Sequence, residues 1–179
     1  MNNRIKELTT IALFPALMGA TAGISIPLFN LPPITLQTFF VFMAGLTLGP
    51  RKGALSMIIY VLLGAIGLPI FSGFRGGLNV LVGLSGGFLI GFIFSAAFIG
   101  YMKTVKIINN EVVGFSLILV IGTLIIYMFG AAYIAFITSS NLWLILANFV
   151  PYLVGDAIKI VAASYVYARI RNHITYEYA

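Results

Sequence analysis

The stretch LWLILANFVPYLVGDAIKIVAASYVYA, residues 142–168, reads as a membrane-depth segment with one opposite-charge pair set inside it, Asp156 and Lys159. A charged side chain near the middle of a spanning helix costs roughly 2.5–3.5 kcal/mol on insertion scales. Two such charges are expensive unless they meet each other or another polar group. Their i,i+3 spacing puts both on one helix face. That face is expected to look into a bundle interior and hold a polar ligand. The plainer alternative is an ion pair that pins the helix into the bundle.

The rest of the chain points to the membrane too. It is 61% hydrophobic and 8% charged, where a soluble domain is about a quarter charged. Its 179 residues hold about six helices of roughly 20 residues with short connections. The expected fold is an all-α integral membrane protein with six transmembrane helices and short loops. Residues 1–179 form a single transmembrane substrate-binding domain, with its cavity in the outer half. There is no cysteine, which excludes disulfide and thiol chemistry. The net charge of +6 does not imply a nucleic-acid partner, because the basic residues fall between apolar runs. The start, Arg4 and Lys6 before an apolar run with Gly19-Ala20-Thr21-Ala22, resembles a signal peptide. That reading fails because the apolar run continues past the small residues and the later segments are equally apolar.

The expected helices cover about 8–28, 36–49, 53–68, 78–102, 112–138 and 148–170. Gly49-Pro50 ends the second, Gly67-Leu68-Pro69 ends the third, and Pro151 suits the first turn of the sixth. Arg4, Lys6, Arg51, Lys52, Lys103, Lys106, Arg169 and Arg171 then all fall on one side, and Arg75 alone on the other. The positive-inside rule puts both termini in the cytoplasm, for a multi-pass protein of the cell membrane.

Two outer connections stand out. Asn30-Leu31-Pro32-Pro33-Ile34-Thr35 reads as a stiff apolar turn. Phe71 to Phe88 is too rich in glycine for a regular helix and too apolar for an ordinary loop. Irregular backbone at membrane depth is tolerated where it lines a cavity, so this stretch is expected to wall the cavity that Asp156 and Lys159 face. Asn79 is a third polar candidate, unless it only caps its helix. Together Asp, Lys and Asn suit a flat group bearing N–H donors beside a C=O acceptor. Ala12, Ala16 and Ala20 make a small-residue stripe on the first helix that allows close helix approach, either within the chain or to a partner.

Other chemistries lack their parts. Gly83-Leu84-Ser85-Gly86 matches the G-x-S-G motif of rhomboid-type intramembrane proteases. The chain's one histidine, His173, is expected at the opposite end, beyond reach of Ser85. No paired carboxylates, metal-ligand cluster or ATP-binding G-x-x-x-x-G-K-[ST] motif is present. No internal repeat is visible, which weighs against a stand-alone secondary carrier built from repeats.

Three stretches carry a family resemblance. They are Pro33-Ile34-Thr35-Leu36-Gln37-Thr38, then Tyr60 to Phe71 running into Gly76-Gly77, then Pro151-Tyr152-Leu153-Val154-Gly155-Asp156-Ala157-Ile158-Lys159. In this order they resemble BioY, the biotin-binding S component of energy-coupling factor transporters. The family's usual G-P-[ST]-G-G-[YF] reads Gly83-Leu84-Ser85-Gly86-Gly87-Phe88 here, with Leu84 in place of proline. The resemblance implies capture of biotin from outside, with no cofactor besides that ligand and no enzyme activity. It implies as partners a transmembrane coupling protein and a pair of cytoplasmic ATPases, the Ala12, Ala16, Ala20 stripe meeting the coupling protein. Asp156, Lys159 and Asn79 would meet the ureido ring. Phe71 and the glycine wall, Gly83 and Gly87 included, would meet the ring sulfur and aliphatic chain. Arg75 is a candidate for the carboxylate.

Overall fold

The computed structural model describes residues 3–28, 31–105 and 108–178, and within them the side chains of 5–172. The described elements are α1 (Asn3–Ala20), β1 (Ser25–Leu28), β2 (Leu31–Thr35), α2 (Gln37–Ala65), α3 (Leu78–Leu81), α4 (Gly86–Met102), α5 (Glu111–Thr138), α6 (Leu142–Ala147) and α7 (Val150–Tyr178). α2 is the hub: α1, α4 and α7 pack on it, α5 packs on α4, and α7 closes against α5. Met18, Phe42, Leu46, Met57, Ile99, Ile118 and Leu119 fill the interior between these helices.

Two prolines inside helices explain two cross-helix contacts. Pro15 in α1 has no N–H, so the Ile11 carbonyl four residues back loses its helical donor. The buried Ser56 hydroxyl of α2 donates to that oxygen at 2.7 Å. Pro50 likewise deprives the Leu46 carbonyl, and the helix breaks beside it at Gly49 (φ 81°, ψ −175°), a conformation that favours glycine. Lys103, just past the end of α4, donates Nζ to Leu46 O at 3.0 Å and Thr47 O at 3.3 Å. Its cation faces the negative end of that helix segment, and partial burial lowers its pKa from the ordinary lysine value. Ser56→Ala would orphan the Ile11 carbonyl at a cost of about 1–3 kcal/mol. The thermal midpoint should fall by about 2–4 °C per kcal/mol for a chain of this size. An unchanged midpoint would mean that Ile11 finds another donor.

Several expected boundaries are corrected. The first helix, expected to reach residue 28, stops at Ala20. The chain then enters an antiparallel hairpin, with Ser25 opposite Thr35, Ile26 opposite Ile34 and Leu28 opposite Leu31. Ile26 precedes Pro27, which pushes it to extended backbone. Pro32 and Pro33 cannot donate to a ladder, and a two-stranded sheet has only edge strands, where that is tolerated. The expected turn at 30–35 is therefore strand over Leu31–Thr35, and Asn30 lies outside the described residues. The fourth expected helix splits into α3 and α4 around residues 82–85, where Gly83 and Ser85 offer weak helix propensity. The third ends at Ala65 rather than 68, ahead of Gly67 at φ 108°. The sixth gains a separate short neighbour, α6, capped by Asn141, whose side chain accepts from Trp143 N at 2.9 Å. Pro151 sits in the first turn of α7, as expected.

By length and composition, Gln37–Ala65 and Glu111–Thr138 can cross a membrane, and Gly86–Met102 is a shorter apolar helix. The two halves of α2, about 18 and 24 Å long, fall short of the roughly 30 Å hydrocarbon core. Helix length alone therefore does not give six spans. The cationic end is coherent. Lys52 pairs with Glu7 at 3.2 Å, Arg171 pairs with Glu111, and Lys103 seals the α2 break. These contacts gather the start of α1, the middle of α2, the end of α4, the start of α5 and the last turns of α7. Lys106 lies outside the described residues.

Candidate functional site

A cavity with about 600 Å³ of empty volume, its open mouth included, lies between β2, the start of α2, the turn Phe71–Arg75, α4, α5 and α7. Its apolar walls include Ile34, Phe71, Phe88, Phe92 and Ile126.

The charged pair sits on this wall, at 4% exposure for Asp156 and 9% for Lys159. Lys159 Nζ donates to Asp156 Oδ1 at 2.8 Å and to Thr38 Oγ1 at 3.1 Å. Thr38 donates in turn to Asp156 Oδ1 at 3.3 Å. Tyr127 of α5 donates its hydroxyl to Asp156 Oδ2 at 2.5 Å, the short geometry of a hydroxyl on a carboxylate. Three helices thus converge on one carboxylate. A carboxylate has about four acceptor positions and an ammonium three donors. Among the described residues, Oδ2 keeps an acceptor position and Nζ keeps a donor. The pair therefore offers an acceptor beside a donor, which matches an N–H next to a C=O.

A second layer holds the frame. Gln37 donates Nε2 to the Tyr60 hydroxyl at 2.6 Å, and Tyr60 donates to Ile70 O at 3.0 Å. This fixes the chain just before Phe71, whose ring meets Tyr60 edge-on at 5.4 Å. The Phe71 ring lies directly over Gly64, where a Cβ would fall 2.1 Å from it. Tyr152 of α7 donates its hydroxyl to Pro32 O and so ties the hairpin to the helix that carries Asp156. The Phe71–Arg75 turn closes on itself, Phe71 N donating to Arg75 O at 2.9 Å and Arg75 Nε to Ser72 O at 3.0 Å. Ser72 also lines the cavity. Its Oγ is buried and has no hydrogen-bond partner among the described residues, a situation that costs about 1–3 kcal/mol.

The structure brings together Asp156, Lys159, Phe71 and Arg75 on one cavity. It does not bring in the other three. Asn79 is exposed on a neighbouring depression that also contains Gly83 and shares Pro32, Pro33, Arg75, Val80 and Ser85 with the cavity. Asn79 is no cap either, since α3 begins after Gly77. Gly87 faces α5: a Cβ there would lie 2.4 Å from Phe129 O, so it permits helix packing rather than ligand contact. Ser85 lines the cavity, but the backbone of His173 lies about 25 Å further along α7 than Asp156. The residues missed from sequence are Thr38, Tyr127, Tyr152, Gln37 and Ser72. Gln37 and Thr38 lay inside a quoted motif, and Tyr152 beside Pro151. Nothing local distinguishes Tyr127 from other aromatic residues of an apolar helix.

The stripe Ala12, Ala16 and Ala20 is exposed. With Pro15, Gly19, Ile59, Leu63 and Ile70 it lines an apolar groove on the outside of the bundle, and none of the three alanines belongs to the cavity.

A helical bundle with a buried, hydrogen-bonded ion pair on an apolar cavity is a membrane-embedded small-molecule-binding protein. Residues 1–176 match the model of the BioY family. A Thermotoga maritima protein described as "Biotin transporter BioY" is 40% identical over 168 residues, covering 94% of this chain and 97% of that one. A Pyrococcus horikoshii protein described as "Probable biotin transporter BioY" is 37% identical over 171 residues, covering 95% and 99%. A crystal structure of the S-component for biotin from an ECF-type ABC transporter superposes with a TM-score of 0.86 at 31% identity, covering 96% of this chain and 95% of that one. The chain belongs to the BioY family, and its fold class is that of an all-α integral membrane protein.

Proposed function

We propose that this protein is the biotin-binding subunit of an ECF-type vitamin uptake transporter. The observation that carries the reading is the acceptor on Asp156 and the donor on Lys159 that remain, side by side, unused among the described residues. Biotin's ureido ring bears N–H groups beside a C=O, so one N–H meets Oδ2 while the carbonyl takes the third donor of Nζ. Phe71, Phe88 and Phe92 surround the ring sulfur and aliphatic chain. Relatives described as biotin transporters at 37–40% identity support the choice of ligand. The reading needs no cofactor and no catalytic residue.

The finer parts of this reading concern topology and partners. Residues 1–179 form one transmembrane substrate-binding domain crossing the cell membrane six times, the two halves of α2 counting as two spans. The gathering of Lys52, Lys103 and Arg171 at one end supports cytoplasmic termini. The exposed Ala12, Ala16, Ala20 groove supports docking to a transmembrane coupling protein that works with a cytoplasmic ATPase pair. Asn79 and Gly83, on the adjoining depression, border the ligand's entry rather than its ring.

The direct test is binding of labelled biotin to the purified protein, with saturable uptake expected and competition by unlabelled biotin. No binding would overturn the reading. Tyr127→Phe should weaken that binding by about tenfold, because hydrogen bonds to charged groups are worth about 1.5–3 kcal/mol. The loss should shrink when Asp156 is already replaced by Ala, since the hydroxyl acts through that carboxylate. Equal losses in both backgrounds would make Tyr127 a packing residue only.

A further inference from the structure

We infer that the open depression beside the cavity is a second subsite, one that takes an amide-linked extension of the ligand's tail, with Asn79 as its polar contact. The inference rests on the biotin reading and widens the ligand class to amides of biotin with amines such as lysine. Pro32, Pro33, Arg75, Val80 and Ser85 line both the cavity and the depression, whereas Tyr127, Asp156 and Lys159 line the cavity alone. A ring held by the charged pair therefore lies off the shared wall. Leu89, Phe92 and Ile126, on the cavity's other sides, are buried core, so the open direction for the ligand's tail is toward the depression. With open solvent included in both, the depression has about 780 Å³ of empty volume against about 600 Å³ for the cavity. An extension beyond the tail thus has room without displacing the ring.

The depression carries chemistry suited to a lysine-like extension. Leu31, Val80 and Leu84 give it apolar sides, which suit a run of methylenes. Asn79 is exposed on it, and its carboxamide makes no hydrogen bond among the described residues. That group offers two donors and an acceptor, enough to meet an ammonium beside a carboxylate. Both sides are held before any ligand arrives. Tyr133 of α5 donates its hydroxyl to Leu81 O at 3.1 Å, and Gly86 packs so closely that a Cβ there would fall 1.8 Å from the same oxygen. Tyr152 of α7 holds Pro32 on the other side. A surface built in advance gains affinity because little is left to order on binding.

The experiment measures equilibrium competition against labelled biotin by three ligands: biotin, its N-methylamide, and its amide with the ε-amine of lysine. The two amides change the tail's end alike and differ only in the extension. Wild type should bind the lysine amide about three- to tenfold more tightly than the methylamide, the worth of one hydrogen bond. Asn79→Ala should bring the lysine amide to the level of the methylamide. Asn79→Trp, which fills the depression from an exposed position, should weaken the lysine amide about tenfold or more while biotin and the methylamide stay within about twofold of wild type. A lysine amide bound no more tightly than the methylamide by wild type overturns the inference while the biotin reading stands. So does an equal loss of all three ligands in Asn79→Trp, or an unchanged affinity of that variant for the lysine amide. Absence of biotin binding by wild type overturns the biotin reading and this inference with it.

Discussion

An Asp156→Asn variant is expected to bind biotin about 10- to 150-fold more weakly than wild type, the range set by a hydrogen bond to a charged group. The amide keeps the shape of the carboxylate but loses its charge. Oδ2 no longer holds both the Tyr127 hydroxyl and a ligand N–H with charge assistance. Lys159, at 9% exposure, is left without the carboxylate 2.8 Å away. Breaking one side of a buried pair commonly costs about 3–5 kcal/mol, because the remaining charge is uncompensated. The variant should therefore also lose thermal stability. Lys159→Met should weaken binding as well, but Asp156→Asn with Lys159→Met should cost less than the two separate losses combined. Titration calorimetry on the four proteins checks this. Unchanged affinity in Asp156→Asn would remove the carboxylate from the site, and strict additivity would mean that the two residues act apart. Desthiobiotin, which keeps the ureido group, should still bind detectably.

Ala16→Trp is expected to abolish docking to the coupling protein, and with it uptake, while biotin binding stays within about threefold of wild type. Helices approach closely only across small side chains, and an indole at the centre of the stripe forces them apart. Ala16 lies on the outer groove with Ile59, Leu63 and Ile70, away from the cavity. The measurement is co-purification with the coupling protein beside a binding assay on the same variant. Retained docking with lost biotin binding would place the functional contact of this stripe inside the chain.

Much of the site was legible in the sequence because its charges are so costly. In a chain with 8% charged residues, an Asp and a Lys inside an apolar stretch have to be satisfied, and the i,i+3 spacing puts them on one face in any helix. The glycines and Phe71 of the irregular stretch drew attention for a similar reason, since backbone that cannot be helical at membrane depth has to be buried or line a cavity. Asn79 was singled out because it is polar at membrane depth; the break at residues 82–85 separates α3 from α4 and leaves it exposed on the adjoining depression, which shares Arg75 and Ser85 with the cavity. Gly87 packs against α5, and glycine serves close helix packing and ligand approach equally well, so the sequence did not separate the two.

The sequence by itself determined the membrane-embedded helical class, the break at Gly49-Pro50, the start of α7 at Pro151 and the pairing of Asp156 with Lys159. All of these follow from forces acting within about one helical turn: proline's missing donor, glycine's access to positive φ, and the cost of a buried charge. Only the tertiary structure decided which neutral groups complete the carboxylate. Thr38 and Tyr127 reach Asp156 across 118 and 29 residues of chain. Whether they do so depends on how α2 and α5 are rotated about their axes. That rotation is set by packing across whole helix faces, such as α4 against α5 at Gly87 and α1 against α2 at Ser56, and no local run of residues encodes it. The hairpin shows the same division: Pro32 and Pro33 spoke against a helix there, but the Tyr152 hydroxyl on Pro32 O and the packing of Leu31 and Ile34 on the buried cluster around Tyr127 set the strand against the cavity.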